Sequence, residues 1–141
     1  MGMNHVALEV DDIDEALEFY AGFLDFSLRG RSDRAAFVDL GDQFINFSAK
    51  RHQGPDRDRH LGLVVDDKAA VKRCLEEMGV QLLPGGGIDF LDPWGNRIQI
   101  VAYQNIQFSK TPEVLEGMGL AGIRKTPKAL EELAKKGMAP K

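Results

Sequence analysis

Two histidines at equivalent places in a repeated pattern are the residues of this chain best suited to chemistry. His5 begins the segment HVALEVDD at residues 5–12, and His60 begins HLGLVVDD at residues 60–67. Neutral imidazole is a common ligand for divalent transition metals. The repeat therefore favours a shared metal site, although two histidines hydrogen-bonded at strand ends, as products of a duplication, would give the same pattern.

Strand alternation predicts which other side chains share a face with the histidines. Aliphatic and polar residues alternate in the segments 5–10, 45–47, 60–65 and 97–101. Because successive side chains of a strand point to opposite faces, the aliphatic rows should pack under helices and the polar rows should lie opposite. In a duplicated fold, equivalent positions converge. The alternation thus places six polar side chains on the faces away from the helices: His5, Glu9, Asn46, His60, Arg97 and Gln99.

The segments after each histidine predict the elements that position these residues. Apolar residues recur at helical spacing, which predicts helices near 13–24 and 67–78. Strands are predicted near 26–31, 35–41 and 43–49, and again near 80–84, 87–91 and 96–103, with residues 92–96 (DPWGN) as a hairpin turn. The halves, 3–49 and 59–103, therefore both follow a β-α-β-β-β order, joined by a polar linker at 50–58.

Residues 105–141 lie outside the repeat and predict a short helical extension. Thr111-Pro112 and Thr126-Pro127 each place a capping residue before a proline at the first helical position. A helix at 127–136 is too short to persist alone in water, so we expect this tail to dock on the domain or on a partner subunit. The chain is then one α+β domain over 1–104, followed by a C-terminal helical extension.

Composition narrows the class of partner. The 141 residues carry a net charge of −4, which argues against nucleic acid or an anionic membrane surface as a partner. Acidic residues interrupt the basic clusters at 50–59 and 124–136, so both are interpreted as solvated surface. The single cysteine, Cys74, excludes an internal disulfide, and residues 1–20 lack the apolar core of a signal peptide. We expect a cytoplasmic protein.

The duplicated unit, the histidine that opens a strand in both halves, and the DPWGN turn followed by RIQIV resemble the vicinal oxygen chelate superfamily over about residues 3–103. That group includes glyoxalase I, extradiol dioxygenases, fosfomycin-resistance enzymes and bleomycin-resistance proteins. The resemblance implies two βαβββ modules that form a partly open mixed-sheet barrel. It also implies a ligand site on the concave face that a second chain often completes, and hence a homodimer.

The resemblance also implies a ligand set for a divalent metal such as Zn, Ni, Mn or Fe. In metal-dependent members the ligands lie on the first and last strands of each module, which here are the positions of His5, His60, Asn46 and Gln99. The last-strand positions are usually glutamate in those enzymes, and an amide ligates only through a neutral carbonyl oxygen. A set of His5, His60 and Gln99 should therefore hold a divalent ion less tightly than a set with a carboxylate.

Two functions follow, and the sequence leaves both open. The first is a divergent metal-dependent lyase, isomerase or dioxygenase that acts on a small molecule with vicinal oxygens. An amide cannot move a proton, so Glu9 is the candidate base or an additional ligand, and its alternative role is a carboxylate paired with Arg97 or with solvent. The second is a metal-free protein that binds or sequesters a drug or metabolite. A weaker third possibility is an accessory module whose tail mediates assembly.

Three further side chains are candidates for contact with the ligand. Arg97 would orient an anionic group through a bidentate contact, and an ordinary arginine at the rim is its alternative. Asn46 shares the face of the histidines. Trp94 lies in the predicted hairpin, where an aromatic residue either contacts the ligand or only packs.

Overall fold

The computed structural model describes residues 1–140, in which the α+β class of the chain is confirmed. The elements follow the repeat that the sequence predicts, with one exception in the second half. They are, in order, β1 His5–Val10, α1 Ile13–Ala21, β2 Ser27–Arg31, β3 Ala35–Leu40, β4 Gln43–Ala49, β5 Leu61–Val65, α2 Lys68–Glu77, β6 Ile88–Leu91, β7 Arg97–Ala102, a 3-10 turn at Tyr103–Asn105, α3 Pro112–Gly117 and α4 Pro127–Lys135.

Each half of the repeat forms its own mixed sheet. The first sheet has the order β1-β4-β3-β2, with β1 parallel to β4, and the second has the order β5-β7-β6, with β5 parallel to β7. The two sheets do not close into one barrel, and β1 and β5 each lie at a sheet edge. The architecture is therefore two βαβββ-type modules in a partly open arrangement.

The prediction of a strand at 80–84 is wrong. This segment makes only an isolated bridge between Leu82 and Phe90, plus a bond from the Leu83 amide to the Asp89 carbonyl at 2.7 Å. Pro84 has no amide hydrogen to donate, and the glycines that follow it at 85–87 add conformational freedom that opposes a regular strand. The second sheet consequently has three strands, and the first has four.

The repeated Asp-Asp pair starts both module helices in the same way. The second aspartate of each pair is the N-cap, since Asp12 accepts a hydrogen bond from the Glu15 amide at 2.8 Å and Asp67 accepts one from the Ala70 amide at 2.9 Å. Such caps satisfy amide groups that have no partner inside the helix. The duplicated motif therefore fixes where each helix leaves its first strand.

Both sheets contribute their aliphatic faces to one shared core, with α1 between them. From α1, Tyr20 packs on Phe47 of the first sheet with ring centroids 4.9 Å apart, and Phe23 packs on Phe90 of the second at 5.6 Å. The buried rows of β1, β3, β4, β5, β6 and β7 all belong to this cluster. Because the inner faces meet in the core, the polar row of each sheet points away from it.

A carboxylate inside this core ties the second module to the first. Asp92 is 3% exposed and accepts four hydrogen bonds: from the Tyr20 hydroxyl at 2.8 Å, the Trp94 amide at 3.0 Å, and both the amide and the side chain of Asn96 at 2.8 Å. Burial, and next the charge of Asp92, hold the pKa of Tyr20 well above its usual range. The DPWGN turn is thus anchored through Asp92 to α1.

The linker between the modules enters the same network through Arg51. Its guanidinium is 3% exposed and donates to the Asn96 side chain, to the Gly54 carbonyl at 2.8 Å and to the Gly95 carbonyl at 3.3 Å. Asn96 in turn donates to the Glu9 carbonyl of β1 at 2.9 Å. The interpretation of the basic cluster at 50–59 as solvated surface is therefore wrong for Arg51, because its donors satisfy carbonyls that the turn and the linker bury.

The tail docks on the domain, as the prediction of a helical extension requires. Thr111 and Thr126 cap α3 and α4, and α4 buries Ala129 and Leu133. Lys125 donates from Nζ to the carbonyls of Tyr103 at 2.5 Å, Ile106 at 2.8 Å and Phe108. Lys125 is thus part-buried, against the interpretation of 124–136 as solvated surface, and burial lowers its pKa to about 8. Among residues 1–140, no helix is long and apolar enough to cross a membrane.

The tie between α1 and the turn makes a testable prediction for stability. Tyr20→Phe removes the donor to a buried carboxylate, so the free energy of unfolding in urea should fall by about 2 kcal/mol. Tyr103→Phe is the matched control: its hydroxyl accepts a bond from the Lys110 amide at 3.2 Å and serves no buried charge. An equal loss in both variants would show that the Tyr20–Asp92 bond has no special weight.

Candidate functional site

His5 opens β1 and His60 comes one residue before β5, and both share a feature that suits a metal ligand. Nδ1 of His60 lies 2.8 Å from the Asp58 carbonyl oxygen, and Nδ1 of His5 lies 2.9 Å from Oδ1 of Asn4. The Asp58 carbonyl can only accept, so in a neutral His60 ring Nδ1 donates and Nε2 keeps its lone pair, and the same roles follow for His5 when Asn4 presents Oδ1 to the ring. A metal-bound imidazole has this arrangement, with its other nitrogen donating to a protein oxygen.

The ring of His5 is held from one side by an aromatic platform. His5 stacks on Phe44 of β4 with ring centroids 4.5 Å apart and an angle of 9° between the planes. The guanidinium carbon of Arg29 lies 4.2 Å from the centroid of the same Phe44 ring, and Arg29 pairs with Asp39 at 3.2 Å. The stack restricts the ring of a histidine that is otherwise exposed.

Asn46 lies on the same face of the first sheet as His5. It is opposite Ala7 in β1 and Phe37 in β3, and its side chain is half-buried. Its Oδ1 is buried and has no hydrogen-bond partner among residues 1–140. A buried acceptor without a partner costs free energy in the isolated chain, and a ligand, water or ion would relieve that cost.

Gln99 and Arg97 lie on the equivalent face of the second sheet. Gln99 of β7 is half-buried between Gly62 of β5 and Asp89 of β6. Arg97 donates to Asp89 at 2.7 Å and to the Arg57 carbonyl at 2.6 Å. The alternative that pairs Glu9 with Arg97 is therefore wrong, because Asp89 on the neighbouring strand is the carboxylate that Arg97 reaches.

Glu9 and Trp94 have different surroundings from the histidines. The Glu9 side chain is half-buried at the far end of β1 from His5, where its carbonyl binds Asn96. Trp94 packs against the core and meets Phe19 edge to face at 6.5 Å between centroids. Its position matches the packing alternative for a hairpin aromatic.

An open cleft of about 990 Å³ lies beside His5. Its walls come from the starts of β1 and β4, the loop after α1, strand β5 with α2, and the tail. Of the seven side chains that the sequence singles out, only His5 lines it. Within residues 1–140, no three His, Cys, Asp or Glu side chains are grouped closely enough to hold a metal ion. Leu61 and Gly62, which follow His60 at the start of β5, line the same cleft as His5.

Sequence reasoning misses the neighbours that orient these groups. Phe44 has the same parity in β4 as Asn46, so strand alternation predicts its face, but nothing in the sequence pairs its ring with His5. Asn4 and Asp58 precede their histidines by one and two residues. An acceptor just before a strand-opening histidine is a local signal that could have indicated the protonated nitrogen in advance.

Comparison with known proteins places the first hundred residues in a known group. The family model "Glyoxalase/Bleomycin resistance protein/Dioxygenase superfamily" matches residues 2–100. The glutathione transferase FosA of Serratia marcescens is 26% identical over 110 residues, which cover 70% of this chain and 78% of that protein.

Solved structures of low sequence identity share the fold. A putative glyoxalase family protein from Bacillus anthracis is similar with a TM-score of 0.60 and 19% identity, covering 72% of this chain and 94% of that one. The fosfomycin resistance protein FosX of Listeria monocytogenes, in a complex with Mn(II) and sulfate, gives a TM-score of 0.63 at 16% identity, covering 72% and 91%.

The hydrogen bonds of the histidines predict their tautomers. In ¹⁵N-detected NMR spectra at pH 8, His5 and His60 should be protonated at Nδ1, because an acceptor faces that nitrogen in each. The third histidine, His52, is exposed in the linker and should favour the Nε2-protonated tautomer that unconstrained histidine prefers, which makes it the internal control. Protonation of His60 at Nε2 would contradict the arrangement proposed for metal binding.

Proposed function

Because the chain belongs to the Glyoxalase/Bleomycin resistance protein/Dioxygenase superfamily, we propose that it is a divergent metal-dependent enzyme that acts on a small molecule with vicinal oxygens. One observation carries the proposal: both repeat histidines anchor Nδ1 on a protein oxygen and leave Nε2 free. The partners differ, since one is the Asn4 side chain and the other the Asp58 carbonyl, yet the same nitrogen is engaged in both rings.

His5, His60 and Gln99 are the proposed ligands. Two imidazoles and an amide oxygen fit a borderline divalent ion such as Zn, Ni, Mn or Fe, although the set has no charge to offset that of the ion. Asn46 is a further candidate through its unpartnered Oδ1. The Mn(II) complex of the Listeria relative supports a divalent metal in this fold.

A bound ion would act as a Lewis acid on the oxygens of the substrate. The remaining roles belong to side chains of this chain. Glu9 is the proposed base, since it shares the polar row of β1 with His5 and is a carboxylate rather than an amide. Arg97 is held in place by Asp89 and would orient an anionic group. Contact between Trp94 and the ligand has the least support, because its ring packs on Phe19.

The proposed site needs two copies of the chain. The polar faces of the two sheets point away from a shared core, and β1 and β5 have unpaired edges. A second copy would bring the His5 face of one chain to the His60 and Gln99 face of the other. A closed twofold pair makes two equivalent sites in this way, which supports a homodimer.

A metal-free binding protein is the second candidate. The neutral donor set and the cleft of about 990 Å³ favour it, because cavities of this size hold small organic molecules. In that case His5 and Phe44 would contact the ligand directly. The cytoplasmic location expected from the sequence is compatible with both candidates and stays a prediction.

Calorimetric titration with Ni(II) and Zn(II) tests the ligand set. His5→Ala and His60→Ala should each abolish binding, and Gln99→Glu should strengthen it roughly tenfold, because a carboxylate offsets the charge of the ion. His52→Ala is the control and should bind as the wild type does. The metal hypothesis fails if the wild type binds neither ion, and the metal-free candidate then stands.

Mixed dimers test whether the site lies between two chains. His5→Ala and His60→Ala proteins, unfolded together and refolded at equal concentration, should regain about a quarter of the wild-type metal sites. Half of the dimers are then mixed, and each mixed dimer holds one intact pair of histidines. A site within one chain would regain none. Light scattering on the same samples reports the mass, and a monomer would contradict the arrangement.

A further inference from the structure

The C-terminal tail lies beyond the residues that the family model matches, yet it forms part of the cleft beside His5. The family match ends at residue 100, and the tail residues that line the cleft are Phe108, Lys110, Gly117, Met118 and Leu120. Three of these are large apolar side chains, each part-buried. They share the cavity with His5 and with Phe44, on which His5 stacks.

An ion pair holds the tail at the hairpin that leads into β4. The side chain of Lys110 is 10% exposed, and its ammonium donates to the Asp42 carboxylate and lies 3.4 Å from the Leu40 carbonyl oxygen. The hydrogen bond from Lys110 lowers the pKa of Asp42. Phe44 follows two residues after Asp42, so this contact seats the tail next to the platform of His5.

Close packing at the same turn adds a second contact. Met118 lies so close to Gly41 that a methyl group on Gly41 would overlap its sulfur, and Gly41 has a φ of +72°. The turn therefore favours glycine, and a side chain here would require the flexible end of Met118 to move.

Lys125 anchors the start of the tail to the end of the second sheet. Besides the three carbonyls that it binds, its ammonium lies 3.5 Å from the centroid of the Tyr103 ring. Tyr103 also accepts the amide of Lys110 at 3.2 Å. The segment from Phe108 to Leu120 is thus fastened at its start to the end of the second sheet and, through Lys110 and Met118, to the first.

From these contacts we propose that the tail is a wall of the ligand site, where Phe108 and Met118 select ligands that carry an apolar body next to the group bound at His5. This deepens the proposed function, since the ligand is the substrate of that site. Burial of each methylene contributes about 0.8 kcal/mol, so an apolar body against these side chains gains affinity that a bare vicinal diol or diketone does not.

The experiment uses the neutral fluorescent probe N-phenyl-1-naphthylamine with the full-length, metal-free protein, in which methionine methyl groups carry ¹³C. The probe should bind saturably and shift the methyl signal of Met118 but not that of the exposed Met138, which lies outside the cleft lining. Met118→Ala and Phe108→Ala should each weaken binding about three- to tenfold. Met118→Leu conserves volume and should bind within about twofold of the wild type.

Leu130→Ala is the matched control, because Leu130 lies on the exposed face of α4 outside the cleft. It should leave probe binding unchanged. If the probe leaves the Met118 signal unmoved, or if Leu130→Ala weakens binding as much as the cleft variants do, the proposal is overturned. The NMR measurement needs only the wild type, so it decides the question even if the alanine variants fold poorly. No metal is added in this experiment, so its outcome is independent of the metal titration. If the probe does not bind but the metal does, only the proposal for the tail is rejected. If the probe binds but the metal does not, only the metal site is rejected.

Discussion

The buried carboxylate of Asp92 is the constraint on which the arrangement of the two modules depends. It joins α1, through Tyr20, to the turn before β7, and Asn96 and Arg51 extend the connection to β1 and the linker. A charge in a core must be fully hydrogen-bonded to be tolerated. Loss of any one donor therefore leaves a lone pair of the carboxylate without a partner, which lowers the free energy of unfolding. The DPWGN segment therefore acts as structure, and its tryptophan packs inward for the same reason.

The shared core decides where chemistry can occur. When two amphipathic sheets bury their aliphatic faces together around one helix, their polar faces are directed outward and away from each other. The equivalent histidines of the repeat then lie outside this core and are exposed. In the proposed dimer, each pocket would take one half from each chain, which would couple assembly to function.

The fold was predictable from the sequence because its signals are local and occur twice. The second aspartate of each Asp-Asp pair caps a helix, alternation assigns the faces of β1, β4, β5 and β7, and Thr-Pro pairs start both tail helices. The failures come from contacts distant in sequence. Arg51 and Lys125 read as surface charges, yet each is drawn inward by carbonyls that only the folded chain brings together. The strand expected at 80–84 does not form because Pro84 cannot donate a backbone hydrogen bond, and in so short a segment this outweighs the hydrophobic pattern.

The site was predictable only in part, for a related reason. Alternation places His5, Asn46, His60 and Gln99 on polar faces, but it gives no distance between faces of different sheets. The carboxylate that neutralises Arg97 comes from the adjacent strand, as Asp89, rather than from Glu9. Strand register decides which carboxylate lies next to Arg97, and the sequence alone does not specify that register.

The register shift in β2 between Leu28 and Gly30 has an effect beyond that strand. In an unbroken strand, Arg29 and Arg31 would share a face. The extra residue reverses the alternation, so Arg29 reaches Asp39 and the ring of Phe44 on the polar side while Arg31 reaches Asp14 of α1 on the other. Deleting one residue here would force two cations to compete for one side of the sheet and leave an aspartate on the other without its counter-charge. A length polymorphism at this position should accordingly be tolerated far less than a change of residue type.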